Sequence, residues 1–293
     1  MREMTFRARA KINLGLDVLR RREDGYHDLR MIMQTVGLYD QLTMRVTRDP
    51  RIRIMTNLSY LPVNEDNLIY KACLLLKEEF ELEEGVVVDL EKRIPVAAGL
   101  AGGSSDAAAA LVGMNILFNL GLSRQQLMER GVKIGADVPY CILRGTALAE
   151  GIGEKLTPLC PPPAMSVVLV KPNIHVSTKY VYTHLHLDET TQHPDIDGQI
   201  EALRNGSADR LIQGMGNVLE TVTIPEYPII ARLKEQLLQM GAQGAMMSGS
   251  GPTVFALFSD PELAGKAFRI LKCQEGLQAY LTRFWNPAGP QAE

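Results

Sequence analysis

The sequence predicts an α+β chain in two domains, and three observations carry that prediction. Residues 6–18 alternate with period two: Phe6, Ala8, Ala10, Ile12, Leu14, Leu16 and Val18 share one face, and Arg7, Arg9, Lys11, Asn13 and Asp17 the other. That is a strand pattern. Further along, Ala107, Ala110, Leu111, Met114, Leu117 and Phe118 recur at helical spacing, which gives a helix with one buried face. Near the middle, "LCPPPAM" at 159–165 breaks both periods. Consecutive prolines favour an extended, stiff segment, so the domains are expected to be residues 1–160 and 161–293.

The elements follow in order. After the first strand, "REDGYH" supplies an Asp-Gly turn, and "LRMIMQTVGL" reads as the returning strand. "QLTMRVT" and "IRIMT" read as further short strands. "EDNLIYKACLLLKEEF" reads as a helix capped by Asp66 or Asn67, and "VVVDLEKRI" as a strand. A second helix is expected from about Ser105–Asp106. "SRQQLMERGVKIGADVPYCIL" reads as a helix, a glycine-marked loop and a return to β structure. In the second half "SVVLVKP" is a strand, and weak helical signals cover about 197–220. "YPIIARLKEQLLQMGA" is a helix with Pro228 in its first turn and Gly241 at its end. "GAMMSGSGPTVFALF" reads as strand, glycine loop, strand, then "DPELAGKAFRIL" as a helix and "QAYLTRFW" as a last strand.

Composition removes several function classes. The chain has 293 residues, 46% of them hydrophobic, and a formal net charge of −3. That supports a sizeable core and supplies no field for nucleic acid. The basic cluster "LRRRED" at 19–24 reads as a solvated hairpin end. No stretch reaches the roughly 18–20 apolar residues of a membrane span, and "MREMTFRARAK" lacks the apolar core of a secretory signal. A cytoplasmic protein with reduced thiols is expected, because Cys73, Cys141, Cys160 and Cys273 form no C-x-x-C pair. The five histidines show no metal-ligand spacing.

The stretch "IPVAAGLAGGSSDAAAA" at 94–110 joins a predicted strand to a predicted helix. Free N–H groups and a partial positive charge mark a helix start. Gly99, Gly102 and Gly103 let an anion approach such amides closely, and Ser104 and Ser105 add hydroxyls. It is neither a Walker A loop, since no lysine follows Gly103, nor a G-x-G-x-x-G dinucleotide fingerprint.

The string "P-x-A-A-G-L-x-G-G-S-S-D-A-A" resembles the second motif of the GHMP kinases. "ARAKINLGLDVL" with "DGYHDL" resembles the first motif of the branch that phosphorylates 4-diphosphocytidyl-2-C-methyl-D-erythritol. "GADVPYCILRGTALAEGIGE" resembles that branch's catalytic loop, and "MMSGSGPTVFALF" the third motif. The resemblance runs from about residue 6 to 285.

It implies a two-domain GHMP kinase fold. The N-terminal ATP-binding domain would resemble the second domain of ribosomal protein S5, and the C-terminal domain would be ferredoxin-like, with the active site in the cleft between them. It implies ATP and Mg2+, a small-molecule alcohol as acceptor, no nucleic-acid or membrane partner, and a monomer or weak homodimer. The phosphates would lie on Pro95, Val96, Ala97, Ala98, Gly99, Leu100, Ala101, Gly102, Gly103, Ser104, Ser105 and Asp106. Asn67 and Lys92 would lie near the adenine. Asp137 would be the catalytic base and Lys11 its cationic partner. Asn13 would meet the same ligand. Tyr26 and His27 would hold the cytosine, with Tyr182 on its other side, although Tyr180 stands two residues away. No metal cage is visible beyond help from Ser105. Ala101 stands where many members carry a glycine, which requires a φ that alanine tolerates or a small shift. Homoserine- or mevalonate-type kinases are the alternative acceptor classes, but their substrates carry no base for the Tyr-His pair. A non-catalytic ligand sensor is a further alternative.

Overall fold

The computed structural model describes residues 2–188 and 191–287. Its strands are β1 (Glu3–Arg21), β2 (His27–Thr47), β3 (Ile52–Thr56), β4 (Gly85–Glu91), β5 (Thr146–Gly151), β6 (Lys155–Pro158), β7 (Ser166–Pro172), β8 (Gly244–Met247), β9 (Val254–Phe258) and β10 (Leu277–Arg283). Its helices are α1 (Leu68–Glu79), α2 (Gly102–Leu117), α3 (Arg124–Gly131), α4 (Val138–Leu143), α5 (Thr178–Thr183), α6 (Ile196–Arg204), α7 (Ala208–Gln213), α8 (Glu220–Glu226), α9 (Ile229–Gln239) and α10 (Pro261–Lys272).

The chain divides into two compact units, neither contiguous in sequence. One holds Met1–Ala10, Leu38–Val96 and Ala101–Leu143; the other holds Lys11–Gly37, Ala97–Leu100 and Arg144–Glu293. In the first, the end of β2 pairs antiparallel with β4, from Gln41↔Glu91 to Thr47↔Gly85, and β3 lies parallel to β4. Helix α2 packs close to this sheet. A side chain at Gly113 would stand 2.3 Å from the Met44 sulfur and 3.0 Å from Phe6, so only glycine admits the approach. Gly131 plays the same part between α3 and α4, where a Cβ would meet Val138 at 2.9 Å.

In the second unit, β7, α9, β8, β9, α10 and β10 make a β-α-β-β-α-β series, with α5 to α8 inserted between β7 and α9. The antiparallel sheet they form has the order β10-β7-β9-β8, the arrangement expected of a ferredoxin-like domain. Asp260 caps α10 by accepting from Glu262 N, and Pro261 sits in its first turn, where a missing N–H costs nothing. The Asp-Gly hairpin turn is present, with Gly25 at φ +85°. Phe255 and Phe258 are fully buried in the centre of this sheet.

Three local expectations change and one open alternative is decided. "QLTMRVT" is the continuation of β2, one 21-residue strand, and not a separate element. Helix α2 begins at Gly102, three residues before Ser105. "VPYCIL" is the short helix α4, and β structure returns only at Thr146. Asn67, not Asp66, caps α1 by accepting from Ile69 N at 2.9 Å. On the polar side of β1, Arg7 is exposed, whereas Lys11, Asn13 and Asp17 are 5%, 0% and 7% exposed.

Candidate active site

In the first unit the start of α2 is open to a ligand. Its preceding residue, Ala101, has φ +54° and provides no side-chain cap. The amides of Gly102, Gly103 and Ser104 find no acceptor among the described residues, whereas Ser105 N already donates to Ala101 O at 2.8 Å. Three parallel, unsatisfied N–H groups at a helix N-terminus bind an anion. The Ser105 hydroxyl is already engaged, donating to Arg9 O at 2.6 Å. Ser104 keeps its hydroxyl unpartnered among the described residues.

Asp137 belongs to the same unit. It precedes α4 and its carbonyl accepts from Cys141 N at 3.0 Å. Its half-buried carboxylate has no hydrogen-bond or ionic partner among the described residues. The Gly135 turn just before it is close to α2's first turn, since a Cβ there would lie 4.0 Å from Ser104 Oγ. An unneutralised acid therefore stands one short turn from an anion cradle.

Lys92 and Asp106 are drawn into a buried cluster. Lys92 Nζ donates to Asp40 Oδ2 at 2.5 Å and to Asp106 Oδ2 at 2.7 Å. Burial, followed by the nearby Asp40 carboxylate, pushes the Asp106 carboxyl well above its ordinary range. Burial works to lower the Lys92 pKa, but the two carboxylates prevail and raise it. Asp40 was not visible as a functional residue in the sequence, because it falls at an ordinary strand position. Asn67 spends both side-chain polar atoms on structure, capping α1 and donating to Pro62 O at 2.7 Å.

In the second unit the segment Ala97–Leu100 is braced by the third glycine loop. Ser248 Oγ donates to Gly99 O at 2.9 Å, and Leu100 O accepts from Lys11 N at 3.1 Å. Gly99, at φ +72°, is irreplaceable on space alone: a Cβ would stand 2.1 Å from Ser248 O. Ala97 adopts φ +51°, the left-handed region that alanine disfavours. Within this span Ala98 and Leu100 are buried and Ala97 is exposed, while in the other unit Pro95 is half-buried and Val96 exposed. Gly103 is exposed at the open helix start.

The same unit brings Lys11, Asn13 and the third loop together. Lys11 Nζ donates to Asn13 Oδ1 at 2.7 Å, and a Cβ on Gly249 would lie 3.6 Å from that ammonium. No carboxylate pairs with Lys11 among the described residues, so a buried cation faces only a neutral amide. Such a group is an anion-seeking site. Asn217, which the sequence did not single out, holds the third loop by donating to Met247 O at 2.9 Å and Gly249 O at 2.8 Å.

The same unit also carries the aromatic residues. The His27 and Tyr182 rings lie 5.3 Å apart, tilted by 34°. Tyr180 instead stacks on His184 at 3.9 Å. Tyr26 stands at the hairpin tip, 60% exposed. Burial, and then the charge of Arg21, lower the His27 pKa, so its ring stays neutral at neutral pH.

Among the described residues no group of three or more His, Cys, Asp or Glu side chains could hold a metal ion, and no helix is long and apolar enough to cross a membrane.

Comparison with known proteins gives the same answer from three directions. Residues 67–145 match the GHMP kinases N terminal domain and residues 199–276 the GHMP kinases C terminal domain. A 4-diphosphocytidyl-2-C-methyl-D-erythritol kinase of Lachnoclostridium phytofermentans is 55% identical, over 97% of this chain and 98% of its own. One of Clostridium perfringens is 51% identical, over 97% and 99%. A crystal structure of 4-(cytidine 5'-diphospho)-2C-methyl-D-erythritol kinase superposes with a TM-score of 0.82 at 32% identity, covering 97% of this chain and 100% of that one. A homoserine kinase from Cytophaga hutchinsonii shares the fold at a TM-score of 0.76 and 20% identity, over 96% and 95%. By sequence and by fold, the chain belongs to the 4-diphosphocytidyl-2-C-methyl-D-erythritol kinase family of the GHMP kinases.

Proposed function

We propose that the protein transfers the γ-phosphoryl group of ATP to the 2-hydroxyl of 4-diphosphocytidyl-2-C-methyl-D-erythritol. The products are ADP and the 2-phosphate, an intermediate of non-mevalonate isoprenoid synthesis in the cytoplasm. Residues 1–160 would bind ATP and residues 161–293 form the C-terminal domain. The observation that carries the reading is the Asp137 carboxylate, without a partner among the described residues, one short turn from the open amides of Gly102, Gly103 and Ser104.

Phosphoryl transfer asks the protein mainly for positioning and charge stabilisation. The α2 amides hold nucleotide phosphate oxygens, and the exposed Gly103 leaves the approach clear. The acceptor is a tertiary alcohol of very high pKa, so its proton must leave as the new P–O bond forms. Asp137 takes that proton. The Lys11 ammonium orients the hydroxyl oxygen and offsets the charge developing on it, and Asn13 fixes the ammonium's direction by accepting from it. His27, neutral and able to offer a lone pair or an N–H, meets the polar edge of cytosine. Tyr26 and Tyr182 supply faces for the ring.

Magnesium in such sites is held largely by phosphate oxygens and water, with one or two protein oxygens. The free Ser104 hydroxyl, with the Ser105 oxygen, fits that modest demand. When bound, the ion would supply positive charge to offset that of the phosphates.

The test is mass spectrometry of the protein with ATP and a panel of alcohols: the cytidyl compound, methylerythritol phosphate, homoserine and mevalonate. Phosphorylation of the cytidyl compound is expected. Turnover of homoserine or mevalonate alone overturns the reading.

A further inference from the structure

We propose that Asp40 is a positioning residue for the nucleotide, holding the entry to the phosphate loop and the first turn of α2 in fixed relation. The proposal rests on the kinase reading above. Asp40 lies within β2 and is completely buried. Its Oδ1 accepts from the amides of Arg93 at 2.5 Å and Ile94 at 2.7 Å, the residues that lead out of β4 into the loop. Its Oδ2 accepts from Lys92 Nζ at 2.5 Å, and that ammonium reaches on to Asp106 Oδ2 in α2 at 2.7 Å. One carboxylate thus ties both ends of the loop, directly at its entry and through Lys92 at its exit.

The cluster stands directly behind the anion cradle. A Cβ on Gly102 would be 2.9 Å from Lys92 Nζ and 3.0 Å from Ile94 Cγ2. The ammonium and the Ile94 side chain therefore fill the space that a side chain at Gly102 would need, so Lys92 packs directly behind the residue that bears the first free amide of α2.

Two carboxylates and one ammonium in a dry site carry an excess negative charge. Burial and the proximity of Asp40 favour a proton on Asp106, and a neutral carboxyl tolerates its unpartnered Oδ1 better than an anion does. Stability alone explains such a cluster poorly, because well-packed apolar residues often serve as well as or better than a buried ion pair. Its bonds end on backbone amides and on the helix that bears the cradle, which is what positioning requires.

The test uses the full-length protein with Asp40→Asn and Asp40→Ala. The first keeps the shape and the oxygen that accepts from Arg93 and Ile94; the second removes both anchors. ADP binding is measured by calorimetry, and KM for ATP and for the cytidyl substrate by steady-state kinetics. For Asp40→Ala, ADP dissociation constant and ATP KM are expected to rise at least 30-fold, and for Asp40→Asn about threefold. The cytidyl KM should stay within twofold in both. A folded Asp40→Asn variant with unchanged ADP affinity, or with both KM values raised in parallel, overturns the proposal. So does failure of both variants to fold, which assigns Asp40 to stability. If the wild-type protein fails to phosphorylate the cytidyl compound while Asp40 variants still lose ADP affinity, the substrate reading falls and the positioning role stands.

Discussion

Ser248 and Gly99 are locked together: the serine hydroxyl donates to the glycine carbonyl at 2.9 Å, and the serine carbonyl sits where a Gly99 side chain would be. Two glycine-rich segments 149 residues apart in sequence therefore form one structure. A methyl at Gly99 meets backbone at 2.1 Å and must also accept φ +72°. The left-handed conformation alone costs about 1–2 kcal/mol. Gly99→Ala is expected to lose at least about 2 kcal/mol in urea unfolding and to depress kcat/KM. A variant with wild-type stability refutes the packing argument.

Ala97 and Ala101 carry the opposite prediction. Both hold φ above +50° with a Cβ. Replacing each by glycine relieves that strain, partly offset by about 0.4–1 kcal/mol of extra unfolded-chain entropy. Ala97→Gly and Ala101→Gly should each raise stability by up to about 1 kcal/mol. Chemical denaturation of the single variants and the pair reads the effect, and a loss of more than that amount contradicts it.

Asp137→Ala should lower kcat by about 10²–10⁴-fold, the range for a lost general base. ADP affinity should change less than threefold, since no free amide of α2 depends on this side chain. Near-normal kcat removes Asp137 from the chemistry.

The two tyrosines of α5 are separable. Tyr182→Ala should raise KM for the cytidyl substrate about tenfold or more, from a stacking contribution of about 1–3 kcal/mol. Tyr180→Ala should leave it within twofold, because that ring is stacked on His184. Equal effects from both replacements would remove the distinction.

His27 gives a pH signature. Its folded pKa is lowered by burial and by Arg21, so the folded state binds this proton less readily than the unfolded chain. The associated stability is present above the ordinary histidine range and is lost as pH falls through the folded value. Binding of the cytidyl substrate should be flat at neutral pH and weaken only as pH falls through the lowered folded value, which lies below the unperturbed histidine value of about 6.5. His27→Gln should flatten that acid limb. An acid limb unchanged by the substitution assigns the titration elsewhere.

The sequence made the strand at 6–18, the glycine loops and the closing β-α-β-β-α-β run readable, because each depends on local periodicity or turn chemistry. Burial of the polar side of β1 was not readable. Period two says that Lys11 and Asn13 share a face, not that the rest of the chain covers it. Asp40 was hidden for the same reason, since its partners are backbone amides 53 and 54 residues away. The helical "VPYCIL" was misread because six apolar-rich residues lack the length that separates a helix turn from a strand. Of the site, the loop and Asp137 were legible as motifs, whereas the pairing of His27 with Tyr182, and not Tyr180, required the fold.

The interleaving of the two units bears on how the protein is made. Leu14 O and Leu16 bond to Gln199, Gly216 and Val218, all synthesised long after β1. At roughly 5–20 residues per second, residues 11–37 wait on the order of ten to fifty seconds for the last strand. During that interval a segment apolar on one side, with Lys11 and Asn13 on the other, leaves the ribosome without its cover. Nascent chains of this protein are therefore expected to depend on holding chaperones. A truncation that ends before Ile196, and so removes Gln199, Gly216 and Val218, should leave the early strands as sticky as they were at birth.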